Sequence, residues 1–268
     1  DGTKFTDKEQ EITGNKIAID EKNDVIQIED NGKFIDKKQQ VIVTGNELLI
    51  DRKSNSFLAT RKAVMILYDK SDSTFINADT LFSGKRIERD SASNKPSSKD
   101  TIQYFLGFHH VRIYNDSVQA VSDSLHYSTY DSLIKLTGSP ICWNGNTQIS
   151  GDTMHLQMAK QQPDQLHVFY NAMVVHLSNT GIFDQMKGKK LDGFFKEGEL
   201  KNIKTTGSPA ESIFYPQDED SAYIGMNRSQ SQWIEFLFKN KEVETIKYSN
   251  DVSGKMYPMG QTPNDQNS

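Results

Sequence analysis

Short segments that alternate between apolar and polar residues recur along the whole chain, and this feature constrains the fold more than any other. Strict alternation places successive side chains on opposite faces, as in a β-strand with one buried and one exposed side. Residues 16–20 and 153–158 are examples. Only residues 225–232 permit a helical turn, so the sequence predicts an all-β fold of stacked antiparallel strands.

A small residue followed by Asn or Asp precedes many of these strands. The copies are Gly14-Asn15, Gly45-Asn46, Ala78-Asp79, Ser122-Asp123 and Gly151-Asp152, with Gly188-Lys189 as a degenerate sixth. They recur about every 30 residues, apart from one longer interval, as in arrays whose units bury their faces against their neighbours. Because Asp and Asn accept backbone hydrogen bonds in turns, we predict that these residues occupy turns from which strands begin.

The repeats predict one long stack or two units. Residues 85–100 are rich in Ser, Lys and Asp and show no periodicity, so we expect an exposed loop there. The predicted boundaries are residues 1–100 for a first β portion, including that loop, and residues 101–250 for a second portion continuous with the first. Residues 251–268 form a polar tail in which we expect no strand.

Charge and composition exclude several classes of function. The 268 residues carry a net charge of -5, which argues against nucleic acid as the main partner because phosphate binding requires a cationic surface. The longest aliphatic run, residues 63–67, is far shorter than the roughly 20 residues of a membrane-spanning helix. The single cysteine, Cys142, excludes an internal disulfide, and we expect it in the core. The pattern of a signal peptide is not recognised in these residues, and we expect that a signal was removed before Asp1, by processing or otherwise.

The histidines do not form a recognisable metal site. Alternation directs the side chains of His109 and His110 to opposite faces, so one metal ion does not readily take both. His126 and His155 follow apolar residues in consecutive repeats, and we predict that both lie on an outer face.

The repeated aspartates are the remaining candidates for chemistry. A ladder of Asp79, Asp123 and Asp152 would suit a cation or an acid–base pair, but recurrence in every repeat favours a role in turns. A carbohydrate-active β-solenoid enzyme would need carboxylates clustered on one exposed face. No phosphate loop, nucleophile elbow or zinc-binding helix pattern occurs. We therefore expect no enzymatic activity, no metal and no cofactor.

The apolar side of the repeats is the candidate binding surface. If two sheets close fully over these residues they form only a core, and if the sheets splay apart the same residues line a groove for acyl chains. Methionine and aromatic side chains suit both arrangements. The predicted groove residues are Ile113, Leu125, Tyr127, Ile134, Leu136, Ile141, Trp143, Met154, Leu156, Met158, Val168, Met173 and Val175.

Three stretches of the chain resemble the OstA-like family of Gram-negative bacteria. They are residues 115–127 (NDSVQAVSDSLHY), 138–143 (GSPICW) and 148–154 (QISGDTM). The family includes periplasmic lipopolysaccharide-transport proteins and the N-terminal domain of the outer-membrane lipopolysaccharide (LPS) assembly protein. The resemblance extends from about residue 12 to 250. It implies an open β-jellyroll, folded like a taco, whose interior shields acyl chains during transit across the periplasm.

For function, the resemblance implies a non-enzymatic lipid-binding module in the periplasm, associated with the outer membrane. Lipopolysaccharide or another acylated lipid would be held between the two sheets. Units of this family join edge to edge, so other β-jellyroll proteins of the transport bridge, or a second copy of the chain, are the expected protein partners. The alternative is a structural β-solenoid or adhesion scaffold with a sealed core that acts through its outer face.

Overall fold

The computed structural model describes residues 3–6, 8–68, 73–89, 96–116, 118–159, 162–179, 181–197, 199–240 and 242–260. Within these ranges the chain forms nineteen strands and no helix, and the prediction of an all-β fold is confirmed. None of these residues belongs to a helix that would be long and apolar enough to cross a membrane. The chain divides into a first unit, Asp1–Pro140, and a second unit, Ile141–Ser268.

Both units consist of antiparallel strands. In the first unit the strands are β1 (Thr3–Thr6), β2 (Gln10–Gly14), β3 (Lys16–Asp20), β4 (Val25–Asp36), β5 (Val41–Asp51), β6 (Ser56–Tyr68), β7 (Ser73–Arg89), β8 (Pro96–Tyr114), β9 (Val118–Ser128) and β10 (Leu133–Thr137). In the second unit they are β11 (Ile141–Asn144), β12 (Thr147–Ser150), β13 (Thr153–Ala159), β14 (Gln162–Asn179), β15 (Ile182–Lys196), β16 (Glu199–Phe214), β17 (Gly225–Lys239), β18 (Glu242–Ser249) and β19 (Ser253–Pro258).

The long strands bend at one point, and these bends, which we call corners, divide each unit into two arms. In β4, residues 25–29 belong to arm A of the first unit and residues 32–36 to its arm B. The pairing register shifts at corresponding positions from β4 to β9, so the corners of neighbouring strands form a row. In the second unit, residues 165–169 of β14 lie in arm A and residues 172–179 in arm B. Each unit is therefore a jellyroll-like sheet with two arms.

At most corners two residues of one strand face a single residue of its neighbour, and at the corner of β16 residues 207–209 face the single residue 232 of β17. The two-residue sides with left-handed backbone angles include Asp30-Asn31, Arg61-Lys62, His109-His110 and Tyr170-Asn171. The single residues opposite are Asn15, Asn46, Asp79, Asp123, Asp152 and Lys189. Such an extra residue is a β-bulge, which bends a strand and increases its twist. A row of bulges therefore folds each sheet upon itself.

The small residue before each single corner residue lies where the two arms converge. A Cβ atom at Gly14 would lie 2.2 Å from Ile28 Cγ2, and one at Gly151 would lie 2.3 Å from Val168 Cγ1. Both distances are far below van der Waals contact, so a larger side chain would overlap the other arm. The repeated motif thus reflects corner geometry, because its small residue lets the arms meet and its polar residue occupies the bend.

The predicted place of the motif at the start of strands is confirmed for Gly14-Asn15 and Gly151-Asp152, which directly precede β3 and β13, and is corrected for the other copies. Gly45-Asn46 lies within β5, Ala78-Asp79 within β7 and Ser122-Asp123 within β9, and each strand continues through its corner. Alternation is interrupted at the bulge and resumes beyond it, so one bent strand has the sequence pattern of two.

The predicted loop at residues 85–100 is also corrected. Residues 85–89 extend β7 and residues 96–100 extend β8. Residues 85–87 pair with residues 101–103, and after a shift in register Arg89 pairs with Pro96. Residues 90–95 lie outside the described part. Main-chain groups form these hydrogen bonds, so a polar sequence without periodicity does not prevent them. The predicted boundary at residue 100 accordingly falls inside β8, and the two units separate after Pro140.

Two further expectations near the end of the chain are corrected, again because main-chain hydrogen bonds form strands without a regular side-chain pattern. Residues 225–232 belong to β17 and make no helical turn. The predicted polar tail contains β19, which pairs with residues 225–230 of β17. Residues 261–268 lie outside the described part of the chain.

Candidate functional site

The first unit encloses a continuous apolar interior between its arms. A row of cross-strand partners on arm A comprises Ile28, Leu48, Ala59, Leu81, Gly107, Leu125 and Leu136. The corresponding row on arm B comprises Ile12, Phe34, Val43, Met65, Ile76, Ile113 and Ala120. Nearly all of these side chains are buried. Because neighbouring strands lie about 4.8 Å apart, each row of seven residues is roughly 30 Å long.

A polar link joins the two arms of the first unit far from the corners. Gln103 in arm A donates a hydrogen bond from Nε2 to Oε1 of Gln39, which follows arm B, at 3.4 Å. Asp36, which is 6% exposed, accepts the backbone N–H of Gln39 at 2.8 Å and its side-chain amide at 3.2 Å. The chain itself connects the arms at the corners, whereas this link is a single hydrogen bond near the surface.

The second unit has a more polar interior. Its inner row on arm A comprises Met154, Val168, Leu191, Thr205, Ile234 and Tyr248, and the row on arm B comprises Cys142, Ile149, Val174, Met186, Ser212 and Ser229. Burial raises the pKa of the Cys142 thiol to about 11 and also raises the pKa of Tyr248. The Ser212 Oγ lies 3.0 Å from the Tyr248 hydroxyl, so a hydrogen bond crosses between the arms.

A second polar connection between these arms consists of Thr147, His176 and Glu242, and we call it the clasp. His176 is 2% exposed and projects from arm B. Its Nδ1 lies 2.9 Å from Thr147 Oγ1, and its Nε2 lies 3.3 Å from an oxygen of Glu242, at the start of β18 in arm A. The clasp therefore holds together the ends of the arms that lie away from the corners.

Asp184 is a buried carboxyl group next to the clasp. It is 3% exposed and accepts hydrogen bonds from the Ser178 hydroxyl and from the backbone N–H of Tyr215, the latter at 3.0 Å. Burial raises its pKa above the ordinary value, although these hydrogen bonds and His176 favour the ionised form. Ionisation of this group is therefore less favourable in the folded protein than in the unfolded chain.

The order of groups in the clasp, hydroxyl, imidazole and carboxylate, is also that of a nucleophile relay. The Thr147 hydroxyl belongs to a residue that is only 9% exposed and that pairs with His176 inside the unit. A substrate has no access to this hydroxyl while the arms are closed. The geometry therefore favours a structural role for the clasp.

The predicted groove residues fall into two sets. On inner rows lie Ile113, Leu125, Tyr127, Ile134, Leu136, Met154, Leu156, Met158 and Val168. The other four, Ile141, Trp143, Met173 and Val175, lie on the opposite face of arm B in the second unit. Ile141 and Met173 both pair with Ser150, and Trp143 and Val175 both pair with Gln148. The predicted interior position is therefore corrected for these four. Residues 172–175 are all apolar, so alternation alone does not reveal which of them face inward.

The structure places the two adjacent histidines on the corner of β8, next to two predicted turn aspartates. His109 Nδ1 lies 3.1 Å from Asp123, and His110 Nδ1 lies 2.8 Å from Asp79. A hydrogen bond from Ser124 and, next, the contact with His109 lower the pKa of Asp123. The imidazoles bond to carboxylates on opposite neighbouring strands.

His126 and His155, the other two histidines considered in the sequence analysis, differ in their surroundings. His126 projects away from the inner row, but its Nδ1 is buried without a hydrogen-bond partner among the described residues. The His155 ring packs edge to face against Phe169, with 5.0 Å between ring centroids. Among the described residues no group of three or more His, Cys, Asp or Glu side chains is arranged to hold a metal ion.

The clasp was not predicted from the sequence, although one signal for it exists. Ala172, Val174 and His176 have the spacing of one strand face, and the first two are buried. A histidine in phase with buried apolar residues indicates a polar contact in the interior. Its partners Thr147 and Glu242 are far from it in sequence. The pairing of β12 with β14 brings Thr147 to His176, and the approach of the two arms brings Glu242 of β18 to it.

No protein-family model matches the chain, and no curated protein matches it in sequence.

Proposed function

We propose that the chain is a non-enzymatic lipid-binding module that holds acyl chains of lipopolysaccharide, or of another acylated lipid, between the arms of its first unit. The observation that supports this most strongly is the pair of facing apolar rows in that unit, which extends from Ile28 to Leu136 on arm A. The second unit is a weaker candidate because Thr205, Ser212 and Ser229 interrupt its inner rows.

The energetics suit a carrier that performs no reaction. Moving a chain of a dozen methylenes out of water is favourable by roughly 10 kcal/mol, at about 0.8 kcal/mol for each methylene. An apolar trough is sufficient for such binding, and no catalytic residue is required. In keeping with the resemblance, the proposed place of action is the periplasm at the outer membrane.

Loading of the first unit requires its arms to separate. Ile28, Val43, Leu48 and Leu81 are at most 2% exposed, so the interior is filled when no lipid is bound. The corners join the arms through the chain and can serve as a hinge, whereas the Gln39–Gln103 link is a single hydrogen bond. We propose that lipid enters from the side of this link.

The outermost strands offer a way to bind protein partners. In the described residues β3 pairs only with β4, and both β18 and β19 pair only with β17. Ile19 on β3 and Met256 on β19 are exposed. Unpaired strand edges can accept a further strand, so we propose that another β-jellyroll protein, or a second copy of this chain, adds there.

A sealed scaffold that acts through its outer face is the second candidate. The same fully buried side chains favour it, since a tightly packed core needs no ligand. The two functions differ in one requirement, because only the lipid carrier must open.

Linking the arms tests this requirement. We would replace Gln39 and Gln103 by Cys in a Cys142→Ser background and join them with a short bis-maleimide, with N-ethylmaleimide capping of the same cysteines as the matched control. The capped protein is expected to bind labelled lipopolysaccharide or a fluorescent fatty-acyl probe, and the linked protein is expected to lose most of that binding. Equal binding by the linked and capped proteins contradicts the proposal, and absence of binding in both favours the scaffold.

Substitutions in the two interiors test which unit binds. Leu125→Asp, in protein that circular dichroism shows to be folded, should abolish probe binding because it places a charge in the apolar row of the first unit. Leu156→Asp alters the interior of the second unit and should leave most binding intact. Loss of binding only in Leu156→Asp would assign the lipid to the second unit.

A further inference from the structure

An exposed groove crosses the corner of the second unit. It is lined by Phe169 and Tyr170 of β14, by Lys189 and Lys190 of β15, and by Thr206, Gly207 and Ser208 of β16. Three neighbouring strands thus contribute aromatic rings, ammonium groups and hydroxyl groups to one concave surface. These are the groups that bind a polar ligand with a flat face.

The two lysines of the groove differ in their partners. Lys190 Nζ lies 2.8 Å from Asp192 and 5.8 Å from the centroid of the Phe169 ring. His167 Nδ1 contacts the same carboxylate oxygen at 2.6 Å, so Asp192 is shared between two cations when the histidine is protonated. Lys189 has no acidic group within ion-pair distance among the described residues. The groove therefore contains one uncompensated positive charge.

The remaining polar groups of the groove are also available for a ligand. The hydroxyls of Tyr170, Thr206 and Ser208 make no side-chain hydrogen bond to the described residues. Tyr170 is 59% exposed and has a left-handed backbone with φ of 59°, which holds it at the bend of β14. Its ring and that of Phe169 supply the apolar part of the surface.

We infer that this groove binds a phosphate ester carried on a ring, such as a sugar phosphate. Lys189 supplies the charge for the phosphate, because lysine binds phosphate as a point charge. Ser208 and Thr206 donate hydrogen bonds to phosphate or sugar oxygens, and the ring of Tyr170 packs against the apolar face of the sugar. The same phosphorylated ring can be a free metabolite or the head group of a lipid. This site is separate from the interior of the first unit, and its failure would leave the lipid-carrier proposal unaffected.

Titration of the full chain with glucose 1-phosphate, inorganic phosphate and glucose tests the inference. Nuclear magnetic resonance or calorimetry is expected to show saturable binding of glucose 1-phosphate, weaker binding of phosphate and no binding of glucose. Lys189→Ala should weaken the binding of glucose 1-phosphate about tenfold or more, the expected loss for a hydrogen bond to a charged group. Lys62→Ala, which removes an exposed lysine at a corner of the first unit, is the matched control and should change the affinity by less than about twofold.

A second variant tests the contribution of the ring. Tyr170→Asn removes the aromatic surface but keeps a residue that tolerates left-handed backbone angles. It should weaken glucose 1-phosphate binding and leave phosphate binding unchanged. Equal binding of glucose and glucose 1-phosphate, or equal losses in Lys189→Ala and Lys62→Ala, would overturn the inference.

Vesicles distinguish the two sources of the ligand. Phosphatidylinositol vesicles, whose head group is a ring carried on a phosphate, would support a lipid head group as the ligand if they sediment the wild-type chain but not Lys189→Ala, and if phosphatidylcholine vesicles sediment neither. Binding of glucose 1-phosphate without sedimentation by either vesicle would support a soluble sugar phosphate. Absence of binding to glucose 1-phosphate, phosphate and both kinds of vesicle would overturn the inference.

Discussion

Single small residues determine how closely the two arms of each unit approach one another. In the second unit, a Cβ atom at Gly151 would lie 2.3 Å from Val168 Cγ1, and one at Gly188 would lie 2.4 Å from Thr205 Cγ2. Gly193 differs, because the nearest atom to its added Cβ would be 3.4 Å away, which is an ordinary contact. Glycine is therefore required at the first two positions by space, and at the third it is not.

A pair of alanine substitutions checks this difference. Gly151→Ala is expected to lower the free energy of unfolding by about 1 to 3 kcal/mol, the range typical of overpacked sites. Gly193→Ala, the matched control, should change it by less than about 1 kcal/mol. Urea denaturation followed by circular dichroism measures both. A Gly151→Ala protein as stable as Gly193→Ala would show that the arms are further apart than described.

The buried carboxyl group of Asp184 predicts a pH dependence of stability. Because burial raises its pKa in the folded state, the stability linked to this group is greatest at low pH and is lost as the pH rises through the raised pKa. Asparagine keeps the shape of the side chain without ionising. The stability of Asp184→Asn relative to wild type should therefore increase as the pH rises from about 4 to about 7.

Asp51 provides a control because its pKa is shifted in the opposite direction from that of Asp184. Hydrogen bonds from the side chain and backbone of Ser54 lower the pKa of Asp51, so its contribution is present at neutral pH and is lost as the pH falls through the lowered pKa. Asp51→Asn should therefore lose more stability at pH 7 than at pH 4, relative to wild type. Denaturation midpoints across this range give both trends, and the same trend in both variants would refute the assignment for Asp184.

At the scale of strands, the corners show what the sequence can and cannot reveal. The recurring Asn15, Asn46, Asp79 and Asp123 were found from the sequence because every corner needs a small residue and then a polar one. The two-residue sides of the same corners carry no common sequence, as Arg61-Lys62 illustrates. Their left-handed backbone is imposed by pairing with neighbouring strands, so the bend itself was not predicted.

Contacts between strands also differ in their energetic importance. His176 is buried in the clasp, and its removal would leave the Thr147 hydroxyl unpaired and a cavity between the arms. His176→Ala is expected to destabilise the protein by about 2 kcal/mol or more. His110 pairs with Asp79 on an exposed corner, and His110→Asn should change stability by less than about 0.5 kcal/mol. Urea denaturation measures the free energy of unfolding of both variants. Equal losses in His176→Ala and His110→Asn would show that the clasp does not hold the arms together.

For the whole molecule, the strand class and the repeat could be predicted from alternation and spacing, whereas the choice of binding interior could not. Val174 and Val175 are equally apolar, and only the pairing of β12 with β14 decides which faces inward. The sequence likewise does not reveal that polar residues such as Thr205 and Ser212 line the interior of the second unit. This difference between interiors is why the proposed lipid site lies in the first unit.

The central claim is that the arms of the first unit separate to admit an acyl chain. Spin labels at Gln39→Cys and Gln103→Cys, in a Cys142→Ser background, allow the distance across the link to be measured by double electron–electron resonance. With saturating lipopolysaccharide or another acylated lipid, the distance distribution should shift to longer values than in the free protein. An unchanged distribution at lipid concentrations that saturate binding would contradict the claim.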